Sequence, residues 1–322
     1  MKSPKISVLI PVYNGARHLA ECLDTVLAQD FHDLEILLSD DRSQDDSVAI
    51  IRDYAARDAR IRWWENRQNR GLTGNTNECL RAARGEYLKF VHQDDLLLSP
   101  TAISRLAAAL DANPGVSLAA CRQHLTGAGT RPLMFSQQGG VFDGHRVIVA
   151  SLEQNTNLIG QPTLTLFRRQ QAGRGFDERF TGFMDFEMWC HLLEQGDYAY
   201  VPEPLASWRV HEGQQTARDS VSREPSGEHL RFMEIYYAKP WLRQAATGRM
   251  LFAQIHYLEK RYGQGARHLT NVMRAQLGPG QFAWQWLKHM STGPARKLAR
   301  KVAGLGRRAR AINAGQARTR VL

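Results

Sequence analysis

Two adjacent acids, Asp94 and Asp95, follow directly on the apolar run Tyr87–Val91. A buried, unpaired carboxylate is expensive, so such a pair needs solvent, a basic partner or a cation. Hard oxygen ligands suit Mg2+ or Mn2+, which commonly bridge one or two carboxylates to substrate phosphates. A cation held there would neutralise charge on a departing diphosphate. Two similar clusters end other apolar runs: Pro11-Val12-Tyr13-Asn14 after Ile6–Ile10, and Asp40-Asp41 after Leu34–Leu38. The Tyr13 ring is suited to cover a flat base, and Asp41 to accept from a ring N–H. Each cluster alone has a plainer reading, since Asp is common in turns and loop aromatics often only pack. It is their recurrence at three run ends that points to a nucleotide.

These residues need a frame. Ile6–Ile10, Leu34–Leu38, Ile61–Trp64, Tyr87–Val91 and Val116–Cys121 read as buried strands. Between them, helical spacing marks Ala16–Gln29, Val48–Tyr54, Thr73–Ala83 and the segment after Ser99-Pro100, a cap followed by a first-turn proline. Ser43 with Asp46 resembles a capping box. Strands alternating with helices predict an α/β fold with a mostly parallel sheet, whose ligands bind beyond the strands' carboxyl ends. The alternation then weakens. Val147–Leu152 reads as a helical turn, Thr163–Phe167 and Tyr198–Val201 as strands, and Asp185–Glu194 as an amphipathic helix opened by an acid. From about Glu228 the pattern is wholly helical. The expected division is a catalytic body over 1–225 and a helical, strongly basic region over 226–322.

Several classes are disfavoured. No GxGxxG follows the first strand and no GxxxxGK[ST] occurs, so neither a dinucleotide turn nor a P-loop holds the phosphates. The four cysteines, Cys22, Cys79, Cys121 and Cys190, form no CxxC pair and suggest a reducing compartment. No apolar stretch reaches membrane-spanning length, and no signal-peptide pattern opens the sequence. A cytoplasmic location is expected.

At these residues the sequence resembles the family 2 glycosyltransferases, an inverting group with the GT-A nucleotide-sugar-binding fold. Ser7-Val-Leu-Ile-Pro-Val-Tyr-Asn14 is similar to the family's opening motif, and Leu38-Ser-Asp-Asp-Arg-Ser-Gln-Asp45 to its VDDGSTD motif. Arg84-Gly-Glu-Tyr-Leu-Lys-Phe-Val-His-Gln-Asp-Asp95 is similar to the segment holding its DxD-type metal site. Met184-Asp185 resembles its ED pair, and Trp208-Arg-Val-His211 its terminal R-x-H motif. The match spans about residues 5–215, with five motifs in order.

The resemblance implies a nucleotide-sugar donor, UDP- or dTDP-linked, and a glycan or lipid-linked acceptor in envelope polysaccharide synthesis. Pro11, Tyr13, Asn14, Asp41, Asn77, Asp94 and Arg209 would then face the donor. Asp95, His211 and His92 would hold Mn2+ or Mg2+. Asp185 would be the catalytic base, with capping of its own helix as the plainer alternative. Glu178 and Phe183 would line the acceptor pocket. The sequence departs from the family at His92-Gln93, where the metal motif begins, and at Thr76, where an arginine is common. A nucleotidyltransferase or a non-catalytic sugar-nucleotide-binding relative remain the alternatives.

Net charge is +10, but unevenly placed. After Glu259 there is no acid, and 260–322 holds 14 Lys and Arg; removing these from 42 leaves 28 bases against 32 acids, a net of −4 for 1–259. Phe282, Trp286 and Met290 share a helical face, with Trp284 nearby, ahead of Arg296, Lys297, Arg300, Lys301, Arg307, Arg308 and Arg310. Aromatic and basic residues together suit an anionic membrane surface. A solvated or protein-binding tail is the alternative, and without a nucleic-acid module nucleic acid is not the expected partner.

Overall fold

Strand β1 (Ile6–Val12) and strand β2 (Leu34–Asp40) are buried at every position. Strands buried on both faces read as continuous apolar runs rather than as alternation, the mark of a parallel sheet covered by helices. The computed structural model, which describes residues 3–126, 138–210 and 227–292, has this architecture. Around β1 and β2 lie α1 (Ala16–Leu27), α2 (Ser47–Arg57), β3 (Ile61–Glu65), α3 (Gly71–Ala82), β4 (Tyr87–Phe90), β5 (Leu96–Leu97) and α4 (Ala102–Asp111). Then come β6 (Val116–Thr126), β7 (Gly140–Phe142), α5 (Gly144–Gln154), β8 (Thr165–Arg168), α6 (Met184–Leu193) and β9 (Asp197–Arg209). The sheet order is β3-β2-β1-β4-β8-β6-β9-β5, with β7 on β9. Pairs β3–β2, β2–β1, β1–β4 and β6–β9 are parallel, while β8 runs antiparallel between β4 and β6. This is the mostly parallel sheet expected.

Helix α1 buries Leu19, Cys22, Leu23 and Val26, and α4 buries Ile103, Leu106 and Leu110, against the sheet. Three local expectations fail. Ser99-Pro100 does not open α4, which starts at Ala102 after Thr101 without a side-chain cap, and the Ser99 hydroxyl accepts from the Thr101 N–H instead. Ser43 makes no capping box: α2 starts at Ser47 without a side-chain cap, and the Ser43 hydroxyl accepts instead from the Asn14 N–H. Strand β9 also runs far beyond Tyr198–Val201, carrying the chain through Pro202 and Pro204 to Arg209.

The chain divides into two compact units, Met1–Ala245 and Ala246–Leu322. The boundary falls after Ala245 rather than near 225, because α7 (Glu228–Tyr237) and α8 (Pro240–Ala245) pack on the body. The Tyr236 hydroxyl donates to Glu187, and Lys239 and the Trp241 indole both donate to Glu194. In the second unit, α9 (Gly248–Tyr262), α10 (Arg267–Leu277) and α11 (Pro279–Thr292) bury Met250, Leu251, Ile255, Leu258, Met273 and Leu277.

Candidate active site

The carboxyl ends of β1 and β2 lie side by side, Val12 opposite Asp40. Beyond them the two loops are sewn together. Asn14 takes a left-handed conformation, φ 50°, donates its N–H to Ser43 Oγ at 2.9 Å and accepts from the Gln44 N–H at 2.7 Å. The first amides of α1 find partners in the same loop: Gly15 N–H donates to Ser47 Oγ and Ala16 N–H to Asp45 Oδ2. Such amides lack intrahelical acceptors. Burial raises the Asp45 carboxyl, but the bonds from Ser47 and Ala16 outweigh it and hold the group below its ordinary range. Pro11 is buried in β1 opposite Ser39, beyond the last β1–β4 pair, where a missing N–H costs the sheet little. Tyr13 is 44% exposed.

Asp41 is 2% exposed and organises the next loop. Its Oδ1 accepts from Asn66 Nδ2 and the Arg70 N–H, and its Oδ2 from the Gly71 N–H at the start of α3. Three of a carboxylate's roughly four acceptor positions are therefore used. Asn66 also donates to Asn75, whose amide donates to Ser39 O and Val12 O. Arg70 and Arg81 both pair with Glu78, so neither stands free to replace the arginine absent at Thr76.

At the end of β4 the chain turns through His92, Gln93, Asp94 and Asp95. Asp95 is 1% exposed. Its Oδ1 accepts the Arg209 N–H at 3.0 Å, and its Oδ2 accepts from the Thr163 hydroxyl. Burial, then the Asp94 charge, pushes this carboxyl well above the ordinary range. The Arg209 side chain donates to the Asp94 carbonyl at 2.8 Å and to Glu21 at 2.6 Å. Thr163 Oγ1 also accepts from the His92 N–H at 3.1 Å, while its carbonyl accepts from the fully buried Lys89. Burial lowers Lys89 to about 8.

One observation tests whether these residues suit a divalent cation. His92, Asp94 and Asp95 each offer a ligand atom, all within 4.8 Å of one another. His92 Nε2 is buried with no hydrogen-bond partner among the described residues, and burial lowers the imidazole's pKa, disfavouring its charged form. An unpaired imidazole nitrogen beside two carboxyls, one strained by burial, fits a cation, and imidazole favours Mn2+ over Mg2+.

Asp185 lies in the first turn of α6. Burial raises its carboxyl to about 6, near the range a general base needs. Asn157 Nδ2 approaches Asp185 Oδ2 at 3.5 Å, and Asn157 Oδ1 accepts from the Ile159 and Gly160 amides. The Gly160 carbonyl accepts from the Trp189 indole of α6. Thus one short segment, 157–163, touches Asp185 through Asn157 and Asp95 through Thr163.

Comparison with known proteins places the chain in a family. The model of the family described as glycosyl transferase family 2 matches residues 7–172. The chain belongs to glycosyl transferase family 2. Similar proteins include a GalNAc(5)-diNAcBac-PP-undecaprenol beta-1,3-glucosyltransferase of Campylobacter jejuni, 39% identical over 97 residues, 30% of this chain and 31% of that protein. Among solved structures, Staphylococcus aureus TarS 1–349 in complex with UDP-GlcNAc matches with TM-score 0.58 at 16% identity, covering 86% of this chain and 89% of that one. A mannosyltransferase from Pyrobaculum calidifontis in complex with GDP-Man and Mn2+ matches with TM-score 0.53 at 19% identity, covering 95% and 81%. These likenesses establish the GT-A fold, and the family establishes a glycosyltransferase.

Within this family 2 domain, some expected residues stand apart from the cluster. The motif places Asn77 at the donor, but its amide donates to Phe176 O and Glu178 and accepts from the Phe176 N–H. Both its donor hydrogens face the 175–178 loop, which it anchors. Glu178 is exposed, and its carboxylate accepts from that amide at 3.4 Å. Phe183 packs among Phe186, His229 and Phe232 at 5.1–5.4 Å, an aromatic cluster under α7. His211 and the bases from Arg296 onward lie outside the described residues. Thr163, Lys89, Asn66 and Asn157 are the participants missed from sequence. Lys89 left a signal, a lone lysine inside an apolar strand; the others are ordinary polar residues until the fold places them.

Proposed function

We propose that this glycosyltransferase moves a sugar from a UDP- or dTDP-sugar to a hydroxyl of a glycan or lipid-linked acceptor, with inversion. The observation that carries it is the convergence of Tyr13, the His92-Asp94-Asp95 cluster and Arg209 at adjoining loop and strand ends, with Asp185 joined to them through 157–163. The Tyr13 ring would stack on the base, and the remaining acceptor position of Asp41 would meet a ring N–H. Asp95, Asp94 and His92, with His211, would hold Mn2+ or Mg2+, which when bound would neutralise charge on the diphosphate. The Mn2+ in the complex of the Pyrobaculum mannosyltransferase with GDP-Man supports that choice.

Asp185 would take the proton of the acceptor hydroxyl as its oxygen attacks the anomeric carbon. The new carbon–oxygen bond forms as the bond to the nucleoside diphosphate breaks, with Arg209 facing the departing charge. Attack opposite the leaving group inverts the anomeric centre. The Campylobacter relative's name, with its undecaprenol-linked acceptor, supports a lipid-linked glycan as acceptor.

The second unit would bring the enzyme to the cytoplasmic face of an anionic membrane. Trp284 is 57% exposed on α11, and the bases after it continue the pattern in sequence. Among the described residues no helix is long and apolar enough to cross a membrane. The base assignment is tested with Asp185→Asn, which should abolish transfer and leave donor affinity nearly intact. Near-normal turnover in that variant would exclude Asp185 as the base.

A further inference from the structure

Gln93 stands inside the metal motif, yet its side chain points its chemistry elsewhere. Its Oε1 accepts the Tyr13 N–H at 2.8 Å, and its Nε2 donates to the Tyr13 carbonyl at 2.9 Å. A side-chain amide thus makes the two-way exchange that neighbouring strands make through their backbones. It does so where the sheet has stopped: the β1–β4 ladder ends at Leu9 and Phe90, followed by the Val91 N–H to Leu9 O bond. The turn after β1 is shaped to admit it. A Cβ on Gly15 would lie 2.4 Å from Gln93 Oε1, so glycine is needed there for the amide to reach Tyr13. The backbone of Tyr13 is clamped while the residue as a whole stays 44% exposed.

We propose that Gln93 is a positioning residue that locks the nucleoside subsite to the diphosphate and cation subsite, by holding Tyr13 in fixed register with Asp94-Asp95. The inference rests on the nucleotide-sugar reading above. On the other flank the same turn is tied to the β2 loop through Asn14, Ser43 and Gln44. Gln93 is the tie on the acid side. Without it the ring that meets the base is no longer placed relative to the acids that meet the phosphates.

The test compares the full chain with Gln93→Ala by calorimetry in Mn2+, using UDP, dTDP and GDP and, separately, inorganic pyrophosphate. Loss of two hydrogen bonds should weaken the nucleotide bound by the unaltered chain about tenfold. Pyrophosphate, which meets only the acid side, should change less than about twofold, within the spread of a surface change. Gly15→Ala should weaken nucleotide binding in the unaltered background and add little in Gln93→Ala, since both break one contact. Equal affinity of Gln93→Ala for the nucleotide, or an equal loss for nucleotide and pyrophosphate, overturns the inference alone. If the unaltered chain binds none of the three nucleotides, the nucleotide-sugar reading falls and this inference falls with it.

Discussion

The Thr163 hydroxyl donates to Asp95 while accepting from the His92 N–H, so one uncharged side chain joins two members of the candidate cation cluster. Its carbonyl also receives the buried Lys89. Asp95 is therefore oriented before any ligand arrives, by Thr163 on one oxygen and the Arg209 amide on the other. Fixed groups lose little freedom when they bind, and that is the advantage of preorganisation.

Thr163→Val keeps the shape and removes the hydroxyl. It should cost about 1–3 kcal/mol of stability, because it leaves a buried Asp95 oxygen and the His92 amide short of a partner. Mn2+ affinity should fall in the same variant, while Thr163→Ser retains both. Chemical denaturation and Mn2+ titration check the two arms. Equal Mn2+ affinity in Thr163→Val would separate Thr163 from the cluster.

Asp185 is expected to give an acid limb. A base must be deprotonated, and burial has raised this carboxyl from 3.8 to about 6. The rate under kcat/KM conditions should be level above about pH 6 and fall about tenfold per pH unit below it. A limb centred near 4 would contradict the buried environment.

The same shift predicts stability. A carboxyl raised on folding binds its proton more tightly in the native state, so its contribution is full below about pH 4 and lost as pH rises through about 6. Above pH 6 the ionised group costs the fold on the order of 2–3 kcal/mol. Asp185→Asn should therefore melt higher than the unaltered chain at pH 7.5, with the gain vanishing near pH 4. A lower melting temperature at pH 7.5 would mean that Asn157 and the helix terminus stabilise the charge after all.

Much of this frame was legible in the sequence. Ile6–Ile10, Leu34–Leu38 and Tyr87–Val91 announced themselves because strands buried on both faces carry unbroken apolar runs. The acids after them were visible for the same reason. Arg209 as a partner of the acid pair was not legible as geometry, because that contact needs β9 to reach the far side of the site. Pro202, Glu203 and Pro204 break the apolar run of β9, and its pairing with β6 shifts register between Cys121 and Gln123, so its second half does not read as strand. Asn77 shows the converse. A motif gives a residue's position, but its direction depends on the 175–178 loop, distant in sequence.

Asn77→Ala should accordingly act on stability. Freeing the buried Phe176 amide and carbonyl costs about 1–3 kcal/mol. The folded fraction should keep its nucleotide affinity. A selective loss of nucleotide binding with unchanged stability would return Asn77 to the donor site.

Removal of the C-terminal bases should act on partitioning. A chain ending near Gly280 loses Trp284 and the basic run after it. It should no longer sediment with phosphatidylserine-containing liposomes, while the full chain does so in a salt-sensitive manner. Unchanged partitioning would remove the tail from membrane contact.

At the centre of the proposed function stands a nucleoside-diphosphate site whose phosphate end would be the acid pair. Calorimetric titration of UDP, dTDP and GDP into the full chain and into Asp95→Asn, each with and without Mn2+, tests it most directly. One nucleotide should bind the unaltered chain at least about tenfold more tightly with Mn2+, and Asp95→Asn should abolish this gain. Equal affinity with and without Mn2+, unchanged in Asp95→Asn, would contradict it.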